Sequence, residues 1–442
     1  MTYLDALYVP LAVVTAPWWA LKKRSGWSEK LGSVILPAKP AGKKRVLLHA
    51  VSVGEVSALR SLVPLLTPYV DVVISVTTDT GTARAKDLFG KTCAIVRYPL
   101  DFSWAVRKFL DAVQPDAVAL VELEVWPQFV RACAQRSIPA CVINGRLSAR
   151  SFKGYSRLSG FFGTLLNQLA FVAAQDREYA KRFEALGLAA DKCLLTGTMK
   201  WDAANLTSAV AGADELAKEL GIDRSKPLIV AGSTAEDEEA LLASSLPDGV
   251  QLICAPRKPE HFDDAAKALP GCVRRSEKKV APAGTRYFLL DTIGELRKAY
   301  ALADLVVMGR SFGTLYGSDP IEPIALGKPT LIGPRFSDFD SIVNTLSSAG
   351  GLEVIDRAKL AQRLKDLLGD KTEREQLSSA GLRAIKAQQG ASERHAELLL
   401  SLSKANSKSL YFDRYISASS PAVPVVGRIS IGKQRKPVQP QL

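Results

Sequence analysis

From Arg45 onward the chain alternates short apolar, β-branched runs with stretches whose apolar positions recur at helical spacing. The runs predict strands over Val46–His49, Val72–Val76, Ala94–Arg97, Ala117–Val121, Ala140–Ile143 and Phe171–Ala174. Amphipathic stretches such as Val56–Leu66, Ser103–Val113 and Trp126–Gln135 lie between them. Around Asp202–Asp214 the pattern turns polar and small. It then restarts with Leu228–Ala231, Gln251–Ala255, Tyr287–Leu290, Leu305–Val307, Thr330–Ile332 and Leu352–Val354. Strand–helix alternation at these intervals implies right-handed crossovers and a parallel sheet covered on both faces. The expected fold class is therefore α/β, with two doubly wound, Rossmann-like domains in tandem. Ligands of such sheets bind beyond the carboxyl ends of the strands. Two domains facing across a cleft would each hold one substrate.

A chain of 442 residues fits two cores better than one, and 47% hydrophobic residues suffice to fill them. The expected boundaries are an apolar segment 1–25, domains 26–205 and 206–402, and a basic flexible tail 403–442. The net charge of +13 first suggests nucleic acid, but its distribution argues otherwise. Lys22–Arg45 carries +7 and Ser401–Leu442 carries +6, which leaves residues 46–400 nearly neutral. No aromatic-interleaved basic stripe is present to stack bases. A basic flank beside an apolar segment reads instead as attraction to anionic lipid headgroups. The segment Tyr3–Leu21 is mostly apolar and is followed by Lys22-Lys-Arg24, the reverse of a cleaved signal peptide. That order puts the following chain on the cytoplasmic side of a membrane. About 18 apolar residues is marginal for a full span, so spanning, interfacial and buried-core readings all stay open. Six dispersed cysteines without a C-x-x-C pair, and three histidines, indicate reduced thiols and no metal site.

Four constellations carry candidate chemistry. The first, His49-Ala-Val-Ser-Val-Gly-Glu55, follows the first strand and opens a helix. Gly54 is read as allowing a tight turn. Glu55 in the first helical turn would be held ionised by the helix N-terminus and would project into the cleft. It is either a general base or an ordinary first-turn glutamate. The second, Glu122-Leu-Glu-Val-Trp-Pro127, ends the fourth strand, and Pro127 suits a first helical turn. Glu122 and Glu124 on an extended segment would point the same way, as a site or as a strand-end charge pair. The third, Asn144-Gly-Arg-Leu-Ser148, offers Asn144, Arg146 and Ser148 at the same rim. The fourth, Gly197-Thr-Met-Lys-Trp-Asp202, offers Lys200, a phosphate contact or a plain surface lysine.

In this order the fragments H-A-V-S-V-G-E, E-L-E-V-W-P, N-G-R-L-S-A-R-S and G-T-M-K-W-D resemble the 3-deoxy-D-manno-octulosonic acid (Kdo) transferases of lipopolysaccharide synthesis. Ala255-Pro-Arg-Lys-Pro-Glu-His-Phe262, Asp291-Thr-Ile-Gly-Glu-Leu296, Pro320-Ile-Glu322 and Gly333-Pro334 continue the match. The resemblance implies a GT-B fold and an inverting transfer without metal or other cofactor. The donor would be CMP-Kdo, held by the second domain, and the acceptor a lipid A precursor, held by the first. It implies Glu55 as the general base, with Glu124 beside it in the catalytic set. Ser52, Gly54, Glu122, Asn144, Arg146, Ser148 and Lys200 would line the acceptor side. Arg257, Lys258, Gly294, Gly317, Ser318, Asp319 and Glu322 would line the donor side. Backbone N–H groups of Arg310–Gly317 and the helix opening at Asp319-Pro320 would face the donor phosphate, and Glu322 the ribose hydroxyls. Three departures fall on the donor side. Tyr316-Gly-Ser-Asp-Pro320 replaces Gly-Gly-His-Asn-Pro, Arg257-Lys258 replaces Arg-His, and Ala235 stands where a histidine is common. They leave room for another GT-B transferase or epimerase using a different nucleotide sugar, and for a non-catalytic membrane-associated sugar-nucleotide binder.

Overall fold

The computed structural model describes residues 5, 6, 8 and 26–403. The chain folds into two compact units. One comprises the chain up to Ala203 together with the segment from Gln389 onward, and the other is Ala204–Gln388.

The first unit is built on a seven-stranded sheet in the order β3-β2-β1-β4-β5-β6-β7. Its strands are β1 (Arg45–Ala50), β2 (Asp71–Val76), β3 (Ala94–Arg97), β4 (Ala117–Val121), β5 (Ala140–Gly145), β6 (Val172–Ala174) and β7 (Cys193–Leu195). All pairings are parallel; β1 runs in register with β2 from Arg45↔Asp71 to Ala50↔Val76 and with β4 from Val46↔Ala117. Every residue of β1 is buried, as a strand with helices on both faces requires. Val46, Leu48 and Ala50 join one apolar cluster, and Leu47 joins the cluster on the opposite face.

The second unit repeats the plan in the order β10-β11-β9-β8-β12-β13-β14. Here β8 is Leu228–Thr234, β9 Gln251–Pro256, β10 Val273–Arg274, β11 Tyr287–Leu289, β12 Leu305–Met308, β13 Thr330–Ile332 and β14 Glu353–Val354. Both sheets are parallel throughout. In each, strand order reverses beside the first strand: between β1 and β4, and between β8 and β12. Those reversals open the crevice in which doubly wound sheets bind ligands.

Several boundaries differ from the sequence expectation. The helix expected over Val56–Leu66 is broken into Val53–Ala58 and Val63–Leu66. Pro64 has no N–H to continue the first helix. The edge strands β7 and β10 are too short, at three and two residues, to show a period of their own. The domain expected over 206–402 stops earlier, because the helix Ala391–Leu402 packs into the first unit. Its Ala391, Ala396 and Leu399 join the cluster that contains Val46 and Leu48.

Most of the segment 1–25, and the tail beyond Ser403, lie outside the described residues. Among the described residues no helix is long and apolar enough to cross a membrane, and the anchor expected over 1–25 lies almost wholly outside them. Asp5 is buried in the first unit. Its carboxylate accepts the Ser103 N–H at 2.9 Å, the Ser103 hydroxyl at 2.6 Å and the Gln128 side-chain amide at 3.2 Å.

Candidate active site

At the reversal of the first sheet, β1 delivers Val51–Glu55 and β4 delivers Glu122–Trp126. Ser52 caps the helix Val53–Ala58: its Oγ accepts the Glu55 N–H at 3.4 Å. The Glu55 side chain turns back over the same helix end. Its Oε2 accepts the Val51 N–H at 2.8 Å and its Oε1 accepts the Ser52 hydroxyl at 2.8 Å. This closed arrangement is a variant of the capping box.

Two expectations change here. Glu55 is only 9% exposed rather than projecting freely. Its carboxyl is also pushed above the ordinary glutamate value, chiefly by burial and further by the charge of Glu122, against the Val51 and Ser52 donors. Burial thus outweighs the donors at the helix N-terminus in setting the direction of the shift. Gly54 is not needed for a tight turn. It sits inside the helix, and a Cβ there would meet only Ser52 Oγ, at 3.8 Å.

The second constellation is not extended. Glu122 has φ of 60°, in the left-handed region, and turns the chain out of β4. The Trp126 indole N–H donates to Glu124 Oε2 at 3.1 Å. Glu124 is raised to about 7 by burial and then by the charge of Glu55, with the Trp126 donor opposing. Glu55, Glu122 and Glu124 therefore form one electrostatically coupled group. Downstream, Pro127 opens the helix Pro127–Gln135, whose first N–H groups are held by Asp101. His49, from the same motif as Glu55, is a core residue. It is wholly buried, stacked on Tyr98 with ring centroids 3.7 Å apart, and held neutral by burial, with its pKa lowered to about 3.

In the third and fourth constellations several side chains have structural partners. Asn144, expected to meet a ligand, is wholly buried at φ of 50°. Asparagine tolerates that left-handed conformation better than most residues. Ser148 caps the helix Ala149–Tyr155 by accepting the Ser151 N–H at 3.1 Å. Asp202 accepts N–H bonds from Gly390 and Ser392, both at 2.6 Å, and so caps the helix Ala391–Leu402. Arg146, half-buried, donates to the Tyr179 hydroxyl at 3.4 Å, and Lys200 is half-buried.

In the second unit, Arg257 and Lys258 follow β9 and are exposed. Gly294 is exposed with φ of 93°. Several backbone N–H groups of the segment Arg310–Gly317 are already engaged within the unit. Those of Arg310, Ser311 and Phe312 bond the buried Glu238, and that of Thr314 bonds Glu236. Gly317 is packed so that a Cβ would lie 2.8 Å from the Phe336 Cα. Ser318 is buried. Asp319 accepts the Ile321 N–H at 3.0 Å and so opens the helix Ile321–Ala325, which gives its negative charge a local use. Glu322 is ion-paired with Arg297 at 3.4 Å. A depression of about 310 Å³ is lined by Thr314, Leu315 and Tyr316 and by Arg335, Phe336 and Asp340. Sequence reasoning missed Glu238 and Arg297. Glu238 bonds the turn at Arg310, 72 residues away, and Arg297 pairs with Glu322, 25 residues away, so these contacts are not visible in the local sequence.

Comparison with known proteins decides the family. The chain is 32% identical over 370 residues to the 3-deoxy-D-manno-octulosonic acid transferase of Haemophilus influenzae, covering 80% of this chain and 86% of the relative. The chain belongs to the Kdo transferase family. The family profile "3-Deoxy-D-manno-octulosonic-acid transferase (kdotransferase)" matches residues 22–203. The Bordetella pertussis transferase is 31% identical over 382 residues, covering 80% of this chain and 86% of its own. As a member of this family the protein is a glycosyltransferase. Among solved structures, the fold is shared with Anabaena HepE bound to UDP, at TM-score 0.59 and 14% identity over 81% of this chain and 100% of that one. It is shared too with the UDP-GlcNAc 2-epimerase of Neisseria meningitidis, at TM-score 0.56 and 14% identity over 81% and 100%. These two likenesses concern the fold alone.

Proposed function

We propose that this Kdo transferase moves Kdo from CMP-Kdo to a lipid A precursor, a phosphorylated and acylated glucosamine disaccharide, with inversion at the anomeric carbon. The observation that carries the proposal is the coupled carboxylate group at the reversal of the first sheet. An acceptor hydroxyl must lose its proton as its oxygen attacks the anomeric carbon. Glu55 takes that proton, and the bond to CMP breaks with its electron pair leaving on the phosphate. A base whose pKa is raised toward neutrality is better matched to this task than an ordinary carboxylate. Arg257, exposed beyond β9, supplies the guanidinium for the departing phosphate. Glu322 and Arg297 offer a carboxylate and a cation beside it for the ribose and the sugar acid.

The amphiphilic acceptor accounts for the apolar segment 1–25 and the basic flank Lys22–Arg45. We assign these to the anionic lipids of the inner membrane at its cytoplasmic face.

The test is single-turnover transfer from CMP-Kdo to a tetra-acylated disaccharide. Glu55→Gln keeps an acceptor oxygen for the cap but cannot take a proton, so it should fold, bind CMP and lose transfer. Near-normal turnover by that variant would sink the assignment of the base. The shared fold with UDP-sugar epimerases motivates a second reading, a UDP-sugar enzyme. Displacement of bound CMP by UDP at equal concentration would favour it.

A further inference from the structure

The helix Ala391–Leu402 returns from beyond the second unit and docks on the first, where it brings His395 into the interior. His395 is wholly buried. Its Nδ1 lies 2.6 Å from the Ala391 carbonyl oxygen, which can only accept, so Nδ1 carries the proton. Nε2 is then a lone pair, and it accepts the backbone N–H of Asn144 at 2.9 Å. The Thr196 hydroxyl lies 3.3 Å from the same nitrogen.

Asn144 is the last residue but one of β5, with φ of 50° just before the chain leaves the strand toward Arg146. Both of its oxygens are fixed as well: Oδ1 accepts the Met199 N–H at 3.1 Å, and the carbonyl accepts the Gln175 amide at 2.9 Å. One residue earlier, the Ile143 carbonyl accepts the N–H of Glu122 at 3.0 Å. The left-handed turn at Asn144 therefore sits one residue from the backbone bond that seats Glu122, and two residues from Arg146. The docked helix is secured around His395. Asp202 caps it, and the Arg394 Nε donates to the Thr196 carbonyl at 2.8 Å.

We propose that His395 is a positioning residue for the transfer reaction: by accepting the Asn144 N–H it fixes the turn that aims Arg146 and seats Glu122 on the acceptor side. The inference rests on the acceptor-side reading given above. Burial holds the ring neutral, with its pKa lowered to about 4 and Arg394 adding to the effect, so the accepting lone pair is kept across physiological pH.

Two variants separate a hydrogen bond from simple packing. His395→Phe keeps a planar ring but has no acceptor, whereas His395→Gln keeps an acceptor near the Nε2 position. The expected result is an acceptor KM raised about tenfold in His395→Phe, the size of one lost buried hydrogen bond, with donor KM unchanged and His395→Gln within about twofold of wild type. Equal impairment of the two variants, or an unchanged acceptor KM in His395→Phe whatever its melting temperature, overturns the proposal. If the wild-type enzyme does not transfer to the tetra-acylated disaccharide, the acceptor reading falls and amide exchange decides. Faster exchange at Asn144 and Glu122 in His395→Phe, restored in His395→Gln, supports the positioning role, and unchanged protection overturns it.

Discussion

Replacing Glu238 by glutamine tests how the second unit builds its expected donor rim. Glu238 Oε2 accepts the N–H groups of Arg310 and Ala235 at 2.7 and 3.0 Å, and Oε1 those of Ser311 and Phe312 at 2.8 and 3.0 Å. One buried carboxylate thus shapes the turn after β12 and ties it to the turn after β8. The two turns are in van der Waals contact. A Cβ on Gly309 would fall 2.5 Å from the Thr234 Cα. A glutamine keeps the shape but can present an oxygen to only one pair of donors. The other pair then faces an NH₂ group, which also donates. Each buried donor left unpaired costs about 1–3 kcal/mol, so the variant should lose on the order of 2–6 kcal/mol. For a domain of this size about 2–4 °C is lost per kcal/mol, so the melting temperature of the second unit should fall by roughly 10 °C. Calorimetry measures that fall, and initial rates at saturating acceptor measure the donor KM, which should rise while the acceptor KM holds. A melting temperature within about 2 °C of wild type together with an unchanged donor KM would refute the reasoning.

Other perturbations probe the first unit. Glu122→Gln removes a charge that raises the Glu55 pKa, so the acidic limb of the kcat/KM profile should move to lower pH; a limb that stays put or moves up contradicts the coupling. Glu124 and Asp101 are both raised to about 7 by burial. Each therefore binds a proton more tightly folded than unfolded, and the stability they carry is present below their unfolded pKa values and lost as pH rises toward 7. Urea midpoints should show this decline, and Glu124→Gln should flatten it. Asp202→Ala leaves the Gly390 and Ser392 N–H groups without their cap and should cost about 1–2 kcal/mol, read as faster exchange along Ala391–Leu402 with donor KM unchanged. Asp5→Ala strands three donors on Ser103 and Gln128 and should cost about 3 kcal/mol in urea unfolding.

The parts legible in the sequence were those set by local pattern. Strand runs such as Val46–His49 and Ala117–Val121 recur almost unchanged as β1 and β4, because a strand buried on both faces needs an unbroken apolar run. The turns carrying Glu55 and Glu124 could be read from the polar and helix-opening residues just past each strand. The illegible parts depend on distant partners. His395 looks like one polar position in a helix until Asn144, 251 residues away, is found at its Nε2. The motifs around Asn144, Ser148 and Asp202 were recognisable as motifs, yet two of these side chains cap helices and Asn144 anchors a turn. The motif alone did not separate a residue that touches substrate from one that holds the scaffold. Electrostatics was the other gap. The helix N-terminus at Glu55 is visible in sequence, but the burial that outweighs its donors is a property of the assembled fold.

That balance bears on how Glu55 could act as a base while its oxygens cap the helix. Each carboxylate oxygen has two lone pairs. The Val51 N–H occupies one on Oε2, and the Ser52 hydroxyl one on Oε1. One lone pair remains on each oxygen, so a proton can be accepted without breaking the cap. The two donors also fix the direction in which the free lone pairs point, which a solvated glutamate would lack. Gly54 leaves the space over this helix end open, since a Cβ there would meet only Ser52 Oγ. An acceptor hydroxyl could approach from that side. Gly54→Val would test this access separately from the chemistry. It leaves every donor to Glu55 in place, so it should raise acceptor KM with little change in the pH profile. A shifted profile would mean instead that the glycine serves the carboxylate rather than the substrate's path to it.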